Sequence, residues 1–391
     1  MAMKIKEVIA PADIHEFLQL PVRLYKESPH WIRPLDKDVE SVFDRDKNKT
    51  FRHGDCARWI LVNDQNKTIG RVAAFINEKN AKKGNDQPTG GMGFFECIEN
   101  KEAANLLLDT CKQWLQSKGM EAMDGPINFG NRDRWWGLLV DGFDRDPNYQ
   151  CNYNFPYYKE FFEAYGFKTY FNQFTFSRMV AEPLSPRLYQ KAELMKKDPD
   201  YEFRHLLKSE IDKLPEYMMN VYNKAWANRA ENPELNLMQA KQIVKQMKPI
   251  MDEKLLYFGF YKGEPISFFL SLPEINQIFK YVNGKLDLVG KLKFVWHTWR
   301  KTNRKAFGIL FGVVPAHQGK GCDGAMILAA RYILQDKYHR YDEYEMNWIG
   351  DFNPKMINVV EQVGAFVCKT HITYRKLFDD TKPFKRHPIL N

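Results

Sequence analysis

The stretch from Phe307 to Leu334, FGILFGVVPAHQGKGCDGAMILAARYIL, leaves the chain little freedom in local structure. Residues 307–314 are aromatic, aliphatic or glycine and carry no charge, which is the composition of a buried strand. Pro315 removes a ladder donor and ends it. Gly319, Gly321 and Gly324 then permit a bend that side chains with a Cβ resist. After them Ala325, Ile327, Leu328, Ala329, Ile333 and Leu334 make an apolar stripe at helical spacing. A helix entered through glycines presents unpaired amides and the positive end of its dipole, so this turn reads as an anion cradle. Read from the glycines alone, it is equally an ordinary strand–helix connection.

At 391 residues the chain exceeds one ordinary core, and two domains are expected. Lys and Arg number 58 against 49 Asp and Glu, a net charge of +9. That balance favours anionic partners such as CoA, acidic substrates or an anionic membrane surface. No basic run carries a nucleic-acid motif, so DNA is not expected and tRNA is a minor option. The six cysteines form no CxxC pair and no zinc spacing, which reads as free thiols in a reducing compartment, with no metal. The N-terminal residues lack an apolar signal core, and no segment reaches the roughly 18 apolar residues of a membrane span. A cytoplasmic, soluble protein is the expectation.

Along the chain, residues 4–9 read as a strand and 12–26 as a helix. The proline-punctuated stretch 27–55 reads as a surface helix and loop, with a substrate-side lid as the sharper alternative. Strands follow on both sides of Asp64–Lys67, then a strand at MGFFECIE and an amphipathic helix from Asn100 to Lys118, closed by Gly119. The turn into that helix, Glu99 to Ala103, has two acids and no glycine. It caps well but keeps a pyrophosphate at a distance. Residues 123–143 gather Asn128, Asn131, Arg132, Asp133, Arg134, Trp135 and Trp136. They fit a substrate contact, with Asn128, Arg132 and Trp136 as candidates, or a turn cluster pinned by a buried Trp. A helix over 154–167 and a strand over 170–180 complete the first half.

A linker with three prolines leads to a strand at 201–206 and helices at Leu214–Trp226 and Leu237–Met251, with a loop at 228–233 between them. A hairpin turns around Lys262-Gly263. Residues 274–305 form a basic, aromatic insertion. It reads first as a solvated amphipathic helix, and its composition also fits docking on anionic lipid or closing over an acyl chain. In YEMNWIGDFNP, strand alternation puts Glu345 and Asn347 on one face and Met346 and Trp348 on the other. The halves share a spacing. Asn154-Phe155-Pro156 precedes Gly166-Phe167 by 12 residues, and Asn353-Pro354 precedes Gly364 by 11. Such doubling points to tandem units.

The opening stretch resembles the pyrophosphate-binding motif of the GNAT superfamily of acyl-CoA N-acyltransferases, Val-x-Pro-x-x-(Arg/Gln)-Gly-x-Gly-x-(Gly/Ala). Val313, Pro315, Gln318, Gly319, Lys320 and Gly321 fall on pattern. Asp323 stands where the family has a small residue, with Gly324 one place later. The resemblance implies an α+β or α/β fold of two tandem GNAT-like domains, each a mixed twisted sheet flanked by helices. They would be residues 1–182, degenerate for CoA, and 201–391, joined by a linker at 183–200.

It also implies an acyl-CoA-dependent N-acyltransferase that moves an acetyl or longer acyl group to the amine of a small molecule or peptide. CoA would lie against Val313, Val314, Gln318, Gly319, Lys320, Gly321, Gly324 and Asn353, with the oxyanion near the Val313–Val314 amides. The tyrosine that many members carry four residues before the closing glycine is replaced here by Val360 and Phe162. Glu345 is therefore the candidate general base, with Asp351 behind it. His317 reads as a loop residue or phosphate partner, and Cys322 as a thiol whose pKa a helix N-terminus lowers. Two other readings stay open. One is an aminoacyl- or long-chain acyltransferase of the Fem or N-myristoyltransferase type. The other is a non-catalytic binding protein, to which Asp323, Val360 and the glycine-free turn point.

Overall fold

The computed structural model describes residues 2–195, 197–226 and 234–390. The loop expected at 228–233 lies outside the described residues. Thirteen strands form one sheet. They are β1 (Met3–Glu7), β2 (Gly54–Asn63), β3 (Thr68–Asn77), β4 (Thr89–Cys97), β5 (Ala122–Gly125), β6 (Leu138–Asp141) and β7 (Lys168–Met179) in the first half. In the second half come β8 (Tyr201–His205), β9 (Leu256–Tyr261), β10 (Glu264–Pro273), β11 (Lys305–Val313), β12 (Glu343–Gly350) and β13 (Phe366–Leu377). The spatial order is β1-β2-β3-β4-β5-β13-β7-β12-β11-β10-β9-β8, with β6 pairing β13 off this path.

The order is nearly symmetric about the β13–β7 pair, and the last strand of each half has changed places. β13 pairs with β5 and β7 with β12, all antiparallel. Two pairings are parallel, β4 with β5 and β11 with β12. Each is reached through a crossover helix, Lys101–Ser117 or Cys322–Ile333, as parallel neighbours require.

Helices cover both faces of each half. Leu107, Leu108, Cys111 and Leu115 of the Lys101–Ser117 helix are fully buried and pack with Met92, Tyr158 and Phe162. Phe17, Val39 and Phe75 form the core on the opposite face. In the second half Met218 and Val221 of the Leu214–Trp226 helix pack on Phe258 and Phe268. Cys322 and Ala325 pack with Ile266 and Val313. No helix among the described residues is long and apolar enough to cross a membrane.

The middle of the sheet is polar and buried. Gln173, Thr175 and Ser177 of β7 and Lys369, His371 and Thr373 of β13 are at most 5% exposed. The loop after β6 supplies partners to two of them, while Thr175 and Ser177 donate to Asn347 and Glu343 of β12 and Thr373 donates to Gln173. His371 Nε2 bonds the Asn152 carbonyl at 3.0 Å, and Lys369 Nζ donates to the Asp146 carbonyl at 3.0 Å. Buried polar groups need such partners, and here they tie the two halves together.

The 274–305 insertion contains the amphipathic helix expected there. Short and long helices form at Asn276–Phe279 and Leu288–Trp299. The long one does not set its apolar face on the body: Leu288, Leu292, Val295 and Trp299 are 63–75% exposed.

Candidate functional site

The site begins where β11 and β12 part. Their parallel register runs from Lys305↔Glu343 to Gly308↔Met346 and stops there. Each strand carries an irregularity at that point. On β11, Leu310 pairs with Leu270 but Gly308 with Ser271, so Ile309 is extra. On β12, Met346 pairs with Phe176 but Ile349 with Phe174, again one residue too many. Bulges of this kind bend strands and re-aim side chains. They also break the alternation expected for β12, and Met346, Asn347, Trp348 and Ile349 all line the gap.

The gap is part of a cavity of about 790 Å³. One end is the glycine turn, with His317, Gln318, Gly319, Lys320, Gly321 and Asp323 in its wall. From there the cavity follows β11 and the Cys322–Ile333 helix back along the sheet, over about 18 Å at helical rise. Its sides are Ile309, Phe311, Ile327, Met346, Ile349 and Val360, and it ends among Val180, Leu184, Leu334 and Val363. On the opposite face Trp226 closes over Gly312, where an added Cβ would lie 2.5 Å from the indole.

The turn has the shape that the glycines forecast. Gly319 and Gly321 take φ of 74° and 102°, and nothing lies within 4 Å of a Cβ added at Gly319. The Ala325 amide makes the first helical hydrogen bond, to Gly321 at 3.0 Å, so the amides before it point out of the helix end. Gln318 Nε2 donates to the Val313 carbonyl at 2.8 Å and ties the turn to the strand. Tyr201 Oη lies 2.8 Å from His317 Nδ1. Burial, then the Lys320 charge, lowers the His317 pKa, so the ring is neutral near pH 7. An open turn with outward amides fits a diphosphate.

The Val314 amide is not the free donor expected: it bonds the Ile266 carbonyl at 2.9 Å. Antiparallel alternation then turns the Phe311 and Val313 amides away from β10, toward the gap. Cys322 is also corrected. It is buried, and desolvation followed by the Asp323 charge pushes its thiol up to about 11.

The surroundings of Glu345 do not suit a general base. It is fully buried and absent from the cavity wall. Its carboxylate accepts from Lys305 Nζ at 2.6 Å, Lys369 Nζ at 2.9 Å and Asn148 Nδ2 at 2.6 Å. Burial alone raises its pKa, but the two lysines outweigh that and hold it at about 2. Such a group has no affinity for a proton at neutral pH. Asp351 is engaged too, by Arg386 at 2.5 Å and Asn172 at 2.9 Å, outside the cavity. Asn353 lines the cavity, and its side chain caps the Pro354–Gln362 helix through the Met356 amide at 3.3 Å.

The N-terminal candidates lie elsewhere. Asn128 is buried, and Arg132 is exposed with its guanidinium 5.8 Å from the Trp136 ring. The Arg132 carbonyl accepts from Trp348 Nε1 at 3.1 Å, which brings this loop up to the cavity without making it part of the wall. Val313, Gln318, Gly319, Lys320, Gly321 and Asn353 are therefore the predicted residues that the structure brings together. Sequence reasoning missed Ile309, Phe311, Met346, Leu334 and Val180, whose only signal was apolarity. No group of three His, Cys, Asp or Glu side chains that could hold a metal occurs among the described residues.

Among solved structures, a tandem GNAT protein from the clavulanic acid biosynthesis pathway aligns over 97% of this chain and 100% of its own, with a TM-score of 0.51 at 9% identity. The glucosamine N-acetyltransferase region of a fungal multi-domain β-N-acetylglucosaminidase aligns over 96% of this chain and 38% of the longer protein, with a TM-score of 0.55 at 12% identity. The chain has a tandem GNAT fold. No family model matches it. By sequence it is similar to the bacterial ceramide synthase of Caulobacter vibrioides, 25% identical over 94% of this chain and 96% of the relative. It is also similar to protein YghO of Escherichia coli, at 24% over 93% of each.

The two GNAT units differ at their equivalent turns. In the N-terminal one, Asn100 caps the Lys101–Ser117 helix through the Ala103 amide at 2.8 Å, so a side chain of the protein takes an amide that an anion would need. The gap beside β4 is filled by the protein's own aromatic groups. Tyr158 Oη accepts from the Cys97 amide at 2.8 Å and donates to Glu96 at 2.9 Å, and the cavity remaining there is about 70 Å³.

Proposed function

We propose that this chain is an acyl-CoA-dependent N-acyltransferase whose C-terminal unit binds a long-chain donor. The observation that carries the reading is the apolar length of the cavity that starts at the glycine turn. An acetyl group has no use for walls that continue through Ile309, Met346 and Leu334 to Val180 and Val363. Burying apolar surface gives roughly 25 cal/mol per Å², so such walls favour a long chain over a short one.

A bound acyl-CoA supplies an activated thioester carbonyl. The amides at the turn and the Lys320 ammonium hold the diphosphate. The gap-facing amides of Phe311 and Val313 are placed to donate to the carbonyl oxygen as charge develops on it. The apolar walls exclude water, which protects the thioester from hydrolysis. The acids and histidines of the cavity wall, Asp323 and His317, sit at the turn and away from the gap. The acceptor amine therefore has to arrive unprotonated, and the rate follows its ionisation as pH rises. The name of the Caulobacter relative fits an amino alcohol with a long chain as that acceptor.

Palmitoyl-CoA and a long-chain amino alcohol are expected to give a free thiol and one amide, detectable by thiol titration and mass spectrometry. Gly321→Trp, which fills the turn and opposes its positive φ, removes saturable CoA binding in calorimetry. Thiol release without amide formation, or CoA binding unchanged in Gly321→Trp, overturns the proposal.

A further inference from the structure

The Leu288–Trp299 helix is an amphipathic helix mounted with its apolar side outward. Leu288, Val289, Leu292, Val295, Trp296 and Trp299 recur at helical spacing and are 51–75% exposed. At 3.6 residues per turn they occupy roughly 120° of the circumference. The opposite side holds the helix to the body. Gly290 is buried, Phe294 packs 5.7 Å from Phe279, and His297 stacks on Tyr281 at 4.0 Å. The orientation is thus set by packing, and the outward apolar arc is the consequence.

Charge borders that arc on both sides. Lys291 falls along one edge, and Lys293 and Arg300 along the other, all exposed. Lys285 and Lys301 extend the border at the two ends. None of these five forms an ion pair among the described residues, whereas other basic side chains of the insertion do, such as Arg304 with Asp342. Asp287, at the start of the helix, caps it by accepting from the Gly290 amide at 2.8 Å.

We infer that this face docks on an anionic lipid bilayer surface, with the apolar arc in the acyl boundary and the lysines among the headgroups. The pattern of apolar face, basic margins and terminal tryptophans is that of a helix lying in a membrane interface. At 12 residues, about 18 Å, the helix is too short to span. A second copy of the chain is the poorer occupant. A two-fold contact through this face would bring basic margins against basic margins. The inference stands apart from the acyltransferase reading, since vesicle binding needs no donor or acceptor.

The test is co-sedimentation of the full chain with phosphatidylcholine vesicles, with and without phosphatidylglycerol. Binding is expected to the anionic vesicles and to be about ten-fold weaker on neutral ones. Leu292→Glu with Val295→Glu, at exposed sites, leaves the melting temperature unchanged and removes binding. Lys291→Glu with Lys293→Glu weakens it by about five-fold or more per charge. A wild-type chain that stays in the supernatant, or a Leu292/Val295 double variant that sediments like wild type, overturns the inference. So does a wild-type dimer in light scattering that the double variant dissolves, with no vesicle binding by either.

Discussion

Glu345 and Glu274 show how one buried seam sets two carboxylates apart. Glu345 has two lysines on it and titrates at about 2. Glu274, 3% exposed, accepts from the Asn276 amide at 2.7 Å and the Tyr149 amide at 3.1 Å, and burial, as the dominant effect, lifts it to about 7. Their contributions to stability have opposite signs. The depressed Glu345 stabilises fully above the ordinary carboxylate value of 4.5 and loses that as pH falls toward 2. The raised Glu274 stabilises below 4.5 and loses that as pH rises to 7. Glu274→Gln is therefore expected to flatten the fall in melting temperature between pH 5 and pH 7.5, followed by calorimetry across that range. Glu345→Gln strands two buried ammonium groups and is expected to cost about 3 kcal/mol in urea unfolding at pH 7. A stable Glu345→Gln variant with a lost acid limb in its pH–rate profile would restore the residue as a base.

Strand β11, its glycine turn and the helix after it were legible because every determinant is local. Pro315 stops the strand, and Gly319 and Gly321 supply positive φ. The apolar stripe from Ala325 onward sets the helix. The Leu214–Trp226 helix was readable on the same grounds. The surroundings of Glu345 were hidden because its partners come from afar: Lys305 sits on β11, Lys369 on β13 and Asn148 on a loop of the other half. No periodicity along β12 reports them. The bulges at Ile309 and after Met346 were equally hidden, since they depend on pairing register. The amphipathic helix at Leu288–Trp299 was legible from its composition, but which of its faces meets the body was not, because that is decided by Phe279 and Tyr281.

The exchange of β7 and β13 makes the two GNAT units one cooperative body. Each unit lacks its own last strand and closes its sheet with the other's, and the seam between them buries lysines, carboxylates and amides. A single calorimetric unfolding transition is expected, and two resolved transitions would contradict this arrangement. The exchange also bears on the cavity. β7 pairs with β12 on the side away from the gap, so the first half sets the position of one wall of a site in the second. The spacing repeat in the sequence disclosed the doubling but not the crossing, because both connectivities preserve it. What remains to be decided is whether the apolar cavity selects its donor by length. The measurement is kcat/KM for thiol release across acyl-CoA donors from acetyl to palmitoyl, for the wild type and for Leu334→Trp, which fills the far end. Specificity that rises with chain length in the wild type, and falls back to short donors in the variant, is the predicted result. A preference for acetyl-CoA, or a length profile that Leu334→Trp leaves unmoved, would contradict it.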